Sequence, residues 1–178
     1  MQSKLLSFLI IVLLQISFIS SLDIFTAEKM HSLHRLSSFI ASRDGQYIIY
    51  VNRIWKKEDN KYYTNLEYIK KDQNPAVPIE ITPSVSEHSD SDPIFSSEFP
   101  NLLFFLRTES GSSNIYYIDF PPTKNSEPKK LTSYEINISN LKFQKNTLVF
   151  SAEVYYECKD FNCTKEKDDE VAKRGSNT

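Results

Sequence analysis

From Ser37 onward the apolar positions recur at the period of β-strands rather than of helices, in three similar stretches. The first runs Phe39-Ile40-Ala41-Ser42-Arg43-Asp44-Gly45-Gln46-Tyr47-Ile48-Ile49-Tyr50-Val51. The second runs from Pro93-Ile94-Phe95-Ser96 through Leu102-Leu103-Phe104-Phe105-Leu106, and the third from Leu141-Lys142-Phe143 through Leu148-Val149-Phe150. Each is a short apolar strand, a turn, then an apolar run. The first two continue into a segment opened by asparagine (Asn65 and Asn114) and a short one closed by threonine (Thr82 and Thr132). The repeat of roughly 50 residues is a propeller-blade period. Tyr47 to Val51 and Leu102 to Leu106 are apolar on both faces, as a strand held between two sheets requires. The pattern predicts a mainly β fold, an incomplete β-propeller of about two and a half four-stranded blades. Its blades fall at about 39–83, 91–133 and 140–155.

The turns between runs are polar: Asp44-Gly45, Lys56 to Lys61, Asn74-Pro75, Glu109-Ser110-Gly111 and Pro121-Pro122. The longest polar connection, Ser84 to Asp92, leads from the first unit into the second. Before the strands, Phe25 to Leu36 reads as one short helix within a lead-in spanning 22–38. Thr26 is its cap, Glu28 suits its first turn, and Met30, Leu33 and Leu36 form its stripe. Residues 1–21 read as a signal peptide, with Lys4, an apolar run from Leu5 to Ile19, and Ser20-Ser21 at the cut; an uncleaved anchor is the alternative. Residues 156–178 form a cysteine loop and a mixed-charge tail, and Lys165 to Arg174 is either helical or disordered.

A net charge of -2 points away from nucleic acid and from anionic membranes, and only three glycines leave little for a phosphate-cradling loop. No cofactor is expected, and no membrane partner once the signal is cut. Cys158 and Cys163 are the only cysteines; behind a signal peptide they read as a disulfide, with two free thiols as the other reading. A zinc site lacks neighbouring ligands. Asn137-Ile138-Ser139 and Asn162-Cys163-Thr164 fit the glycosylation sequon. Together these features place the chain in a secreted, extracellular or lumenal (endolysosomal) compartment.

The block from Phe25-Thr26-Ala27-Glu28 through Leu36-Ser37, followed by Ser42-Arg43-Asp44-Gly45-Gln46-Tyr47-Ile48-Ile49-Tyr50, resembles the opening of the secreted dipeptidyl-peptidase and acylaminoacyl-peptidase branch of the prolyl oligopeptidase family. Arg43 stands where that family usually has proline. Val149 to Tyr155, with Cys158, Cys163-Thr164 and the lysine-rich run, is similar to the dipeptidyl-peptidase branch. The resemblance implies an amino-terminal propeller that screens access to a carboxy-terminal α/β-hydrolase domain holding a Ser, Asp, His triad. The nucleophile of such a triad sits in a Gly-x-Ser-x-Gly elbow. Gly45, Gly111 and Gly175 bracket no serine, so there is no elbow here, and no catalytic residue of the family transfers to this chain.

Other groupings carry ordinary readings beside the chemical ones. His31 and His34 lack a third ligand and read as surface or partly packed residues, so no metal site is assigned. His88 with Glu87, Asp90 and Asp92 reads as a solvated inter-blade loop, and Glu153 with Glu157 as a surface pair. Tyr62-Tyr63 and Tyr116-Tyr117 read as blade packing. The functional expectation is the propeller portion of a secreted serine peptidase, inactive by itself and engaging peptide substrates only as part of a full-length enzyme. The alternative is a non-catalytic secreted binding protein that self-associates through blade edges.

Overall fold

The computed structural model describes residues 25–175; the signal-peptide reading of residues 1–21 lies outside the described residues. Two compact units are described separately, one ending at Leu33 and the other spanning His34–Thr178. In the first unit, helix α1 covers Ala27–Ser32, and the Thr26 hydroxyl caps it by accepting the Lys29 amide at 3.2 Å. The helix is shorter than its Phe25 to Leu36 expectation. Leu33 is already extended and Leu36 lies in the first strand. A Leu33/Leu36 spacing of three fits a helix face, but the strand pairing of Arg35, Leu36 and Ser37 outweighs it.

The second unit is mainly β. Its first sheet is antiparallel, in the order β1 (Arg35–Ala41), β2 (Tyr47–Lys56), β3 (Lys61–Lys70), β4 (Ile79–Glu80). The second sheet repeats that order with β5 (His88–Phe95), β6 (Leu102–Glu109), β7 (Ser112–Asp119) and β8 (Lys129–Lys130). A third sheet pairs β9 (Ile138–Gln144) with β10 (Thr147–Ala152), and helix α2 (Phe161–Gly175) follows. Among the described residues no sheet closes on itself.

The repeated residues perform the same task in each sheet. Thr82 and Thr132 turn their hydroxyls onto the amides of Leu66 and Ile115, each at 3.0 Å. The preceding asparagines grip the same connections: Asn65 Nδ2 donates to the Thr82 carbonyl at 3.2 Å. Asn114 donates to the Tyr134 carbonyl at 3.0 Å and accepts the Tyr134 amide at 2.6 Å. Buried backbone donors that the short fourth strand cannot pair are satisfied in this way. At the Asp44-Gly45 turn, Gly45 takes a φ of +67°, which a side chain disfavours. Asp44 Oδ1 accepts from the Ser42 hydroxyl at 2.6 Å and the Gln46 amide at 3.0 Å, and these bonds hold its carboxyl below the usual range. Arg43, at the position where proline was noted above, donates across to the Ser97 carbonyl at 3.0 Å.

A second repeated device was not legible in the sequence. The first strand of every sheet carries a bulge: register shifts between Ser37 and Ile40, between Ser91 and Ile94, and opposite Val149/Ser151 in the third. At each, the first extra residue is left-handed, namely Ser38, Asp92 and Asn140, with φ of 51°, 48° and 55°. Opposite each bulge stands an aromatic ring, Tyr50, Phe105 or Phe150.

The sheets stack face to face. One core joins the first sheet to the second through Ile49, Val51, Leu66 and Tyr68 against Leu103, Phe105, Ile118 and Phe120. The other core joins the second sheet to the third through Phe104, Leu106 and Ile115 against Ile138 and Leu141. Strand β6 therefore buries alternate residues on opposite faces, which explains its unbroken apolar run. Phe161, at the start of α2, meets the second core edge-on through Tyr134, with ring centroids 5.2 Å apart.

Candidate functional site

Two groups of buried polar side chains stand out from the apolar cores. In the first sheet, Tyr50 and Glu67 face each other across β2 and β3, as do Asn52 and Asn65. The Glu67 carboxylate accepts from the Tyr50 hydroxyl at 3.0 Å and from Asn52 Nδ2 at 2.6 Å, and His34 Nδ1 lies 3.3 Å from the same amide nitrogen. Neutral donors thus satisfy a carboxylate that is largely out of water. Burial, and after it the hydrogen bond to Glu67, push the Tyr50 hydroxyl up to about 12.

That shift fixes a sign for the alkaline limb of stability. The folded state holds the Tyr50 proton more tightly than the unfolded chain, whose tyrosine ionises near about 10. The resulting stabilisation is complete below about 10 and is lost as pH rises toward about 12. Urea unfolding across that window is expected to show a shallower loss of stability in Tyr50→Phe than in the parent chain. Identical slopes would contradict the assignment.

In the second sheet, Asp90 is fully buried and bound bidentately by Arg107, with Nε to Oδ1 at 2.7 Å and the terminal nitrogen to Oδ2 at 2.9 Å. Such a fork is the strongest form of this pair. The guanidinium lies 5.0 Å from the Tyr116 ring centroid, and the Tyr116 hydroxyl donates to Glu109 at 3.0 Å. Burial and that bond raise the Tyr116 hydroxyl. His88 Nε2 lies 3.7 Å from Asp90 Oδ2.

This overturns the reading of His88 to Asp92 as a solvated loop. The segment belongs to β5, and its charge points inward because Arg107 meets it there. Of the grouped residues, His88 and Asp90 come together. Asp92 instead sits at the bulge, where its carboxylate accepts the Leu141 amide at 3.4 Å. The cross-strand pairing of Asp90 with Arg107 was the missing signal, and it is readable only once the bulge fixes the register.

The remaining candidates are dispersed. His31 lies in α1, whereas His34 lies in the second unit. Tyr63 and Tyr116 are buried; Tyr62 carries the guanidinium groups of Arg35 and Arg53 at 5.1 and 4.2 Å from its ring centroid. Glu157 pairs with Lys167 on α2, which holds its carboxyl below the usual range. Glu153 does not join it but lines a pocket of about 450 Å³ with Asn137, Tyr155 and Asp168. Cys158 and Cys163 are joined in a disulfide at the foot of α2, where Asp160 caps the helix by accepting the Cys163 amide at 2.9 Å. Asn137 and Asn162 are both exposed. Among the described residues no three His, Cys, Asp or Glu side chains gather as metal ligands, and no helix is long and apolar enough to cross a membrane.

No protein family model and no curated protein sequence matches the chain. Among solved structures, the fold is similar to that of the apo AtxE2 isopeptidase. The TM-score is 0.58 at 14% identity, and the match covers 86% of this chain and 26% of that one. The chain therefore spans about a quarter of that isopeptidase's length. At this identity the likeness establishes a shared β fold. The matched fraction takes in most of the described strands, so the stacked sheets themselves carry the likeness.

Proposed function

We propose that the chain is the amino-terminal propeller segment of a secreted serine-type peptidase of the dipeptidyl or acylaminoacyl kind. Its share of the mechanism is to gate or position peptide substrates, while a separate α/β-hydrolase domain supplies the nucleophile, base and oxyanion hole. The observation that carries this reading is the fold likeness to about a quarter of an isopeptidase chain. It is supported by the Asp44-Gly45 turn after the lead-in helix and by sheets that repeat strand for strand. The disulfide and the exposed sequon asparagines, Asn137 and Asn162, support a secretory route and glycosylation. The absence of a Gly-x-Ser-x-Gly elbow in the sequence accounts for assigning cleavage elsewhere.

An antibody raised against this chain, combined with a fluorophosphonate probe for activated serines, tests the reading in the natural source. The immunoreactive polypeptide is expected to be larger than 178 residues and to carry the label, whereas the 178-residue chain alone carries none. An immunoreactive species of the chain's own size with no label sinks it. That second result favours a non-catalytic secreted binding protein, a reading to which the edge of β10, unpaired among the described residues, lends support.

A further inference from the structure

Phe120 closes the contact between the first and second sheets. Its ring sits among Tyr47, Tyr68 and Phe95, with centroids 5.5, 5.4 and 5.3 Å away, and its amide donates to the Asn101 carbonyl at 2.8 Å. The same construction can be followed one sheet further, because the three bulges align the registers. The pairs Ile40 with Ile49, Ile94 with Phe104, and Lys142 with Val149 are equivalent, each lying just past the bulge.

Counting from those pairs, Leu102 and Tyr117 of the second sheet stand where Tyr47 and Tyr68 stand in the first, and Leu131 where Ile81 stands. In the third sheet Phe143, Leu148 and Asn146 stand where Phe95, Leu103 and Asn101 stand in the second. These six residues line one apolar groove of about 330 Å³. The contrast at one position shows what differs: Ile81 is 8% exposed, whereas its counterpart Leu131 is 49% exposed. Among the described residues β10 pairs only with β9, so nothing in the third sheet occupies the place that β7 and Phe120 hold in the second.

We propose that this groove and the free edge of β10 form a docking site for an extended segment laid antiparallel to β10. The segment carries an aliphatic residue opposite Leu148 and an aromatic residue two positions later. The aliphatic residue repeats the pairing of Ile118 with Leu103. The aromatic ring fills the groove as Phe120 fills its own, and its backbone amide donates to the Asn146 carbonyl. Edge hydrogen bonds supply affinity and the aromatic anchor supplies selectivity, the ordinary division in strand addition. The β10 strand of a second copy is a poor occupant: it carries the pattern at Leu148 and Phe150, but that Phe150 ring is already packed against Tyr134 in the second core, with centroids 5.5 Å apart. The proposal rests on the internal repeat and stands apart from the peptidase reading.

A labelled peptide with the sequence Ser113–Phe120 of this chain has the required pattern, and fluorescence anisotropy with the full chain reads its binding. Saturable binding is expected. It should weaken at least about tenfold when Phe120→Ala is made in the peptide, and similarly when Leu131→Asp is made in the protein. Leu131 is exposed, so that protein variant should unfold at the temperature of the parent. Absent binding, or equal binding of the two peptides, overturns the proposal. A dimer of the chain in sedimentation that Leu131→Asp abolishes also overturns it, by assigning the groove to a second copy.

Discussion

Arg107→Leu is expected to destabilise the folded chain by about 3–5 kcal/mol in urea unfolding, because it leaves the Asp90 carboxylate buried without a counter-charge. Asp90 is fully buried and both of its oxygens are engaged by Arg107, so it has no route to water when the guanidinium is removed. The variant also loses the contact of the guanidinium with the Tyr116 ring. The companion variant Asp90→Leu/Arg107→Leu discriminates between a pair that stabilises and a pair whose halves merely need each other. Replacing both charges removes the unpaired carboxylate, so the double variant should be more stable than the single one, even though it carries an additional change. A double variant less stable than Arg107→Leu would show that the stranded carboxylate is not the source of the loss; the net contribution of the pair is read from the double variant against the parent.

Phe105→Ala should cost about 3–5 kcal/mol, the range for an aromatic removed from a closed core. Phe105 is 0% exposed, packs between the first two sheets and lies stacked on Tyr116 with ring centroids 6.0 Å apart. Its neighbour Phe104 faces the other way, toward the third sheet, and borders the open groove. Phe104→Ala should therefore cost less, since one wall of the space it leaves is already open to solvent. Chemical unfolding of the two variants compares the two faces of β6 through adjacent residues. Equal losses would mean that the second core is as tightly closed as the first.

Much of the fold was legible where local chemistry and burial agree. The apolar runs at Tyr47 to Val51 and Leu102 to Leu106 announced strands covered on both faces, and Thr82 and Thr132 lie just past the fourth strands, where their hydroxyls bind the backbone of the third; Asn65 and Asn114 lie inside β3 and β7 rather than opening them. Two stretches misled for the same physical reason, namely that tertiary pairing overrode the local pattern. Leu36 fitted a helical stripe but is held by its pairing with Asn52, and the polar segment around Asp90 resembled a loop but pairs with Arg107. A charged residue on a strand can be recognised as buried only when its partner across the sheet is known. The bulges set that partnership, and the sequence marks two of them by residues that tolerate a left-handed backbone, Asp92 and Asn140, whereas Ser38 gives no such sign. The groove was hidden likewise, since Leu131 and Tyr117 look like ordinary packing residues until the registers of the sheets are compared.

The bulges give the stack a direction. Strands β1, β5 and β9 each form one border of their sheet, and each is kinked at the same point, which makes that border a poor template for a further strand. The opposite borders of the first two sheets are capped by two-residue strands too short to recruit another. Among the described residues, only β10 presents a longer border without an inserted residue. If a strand adds as proposed above, it does so at β10, because every other border among the described residues is closed by a bulge or by brevity.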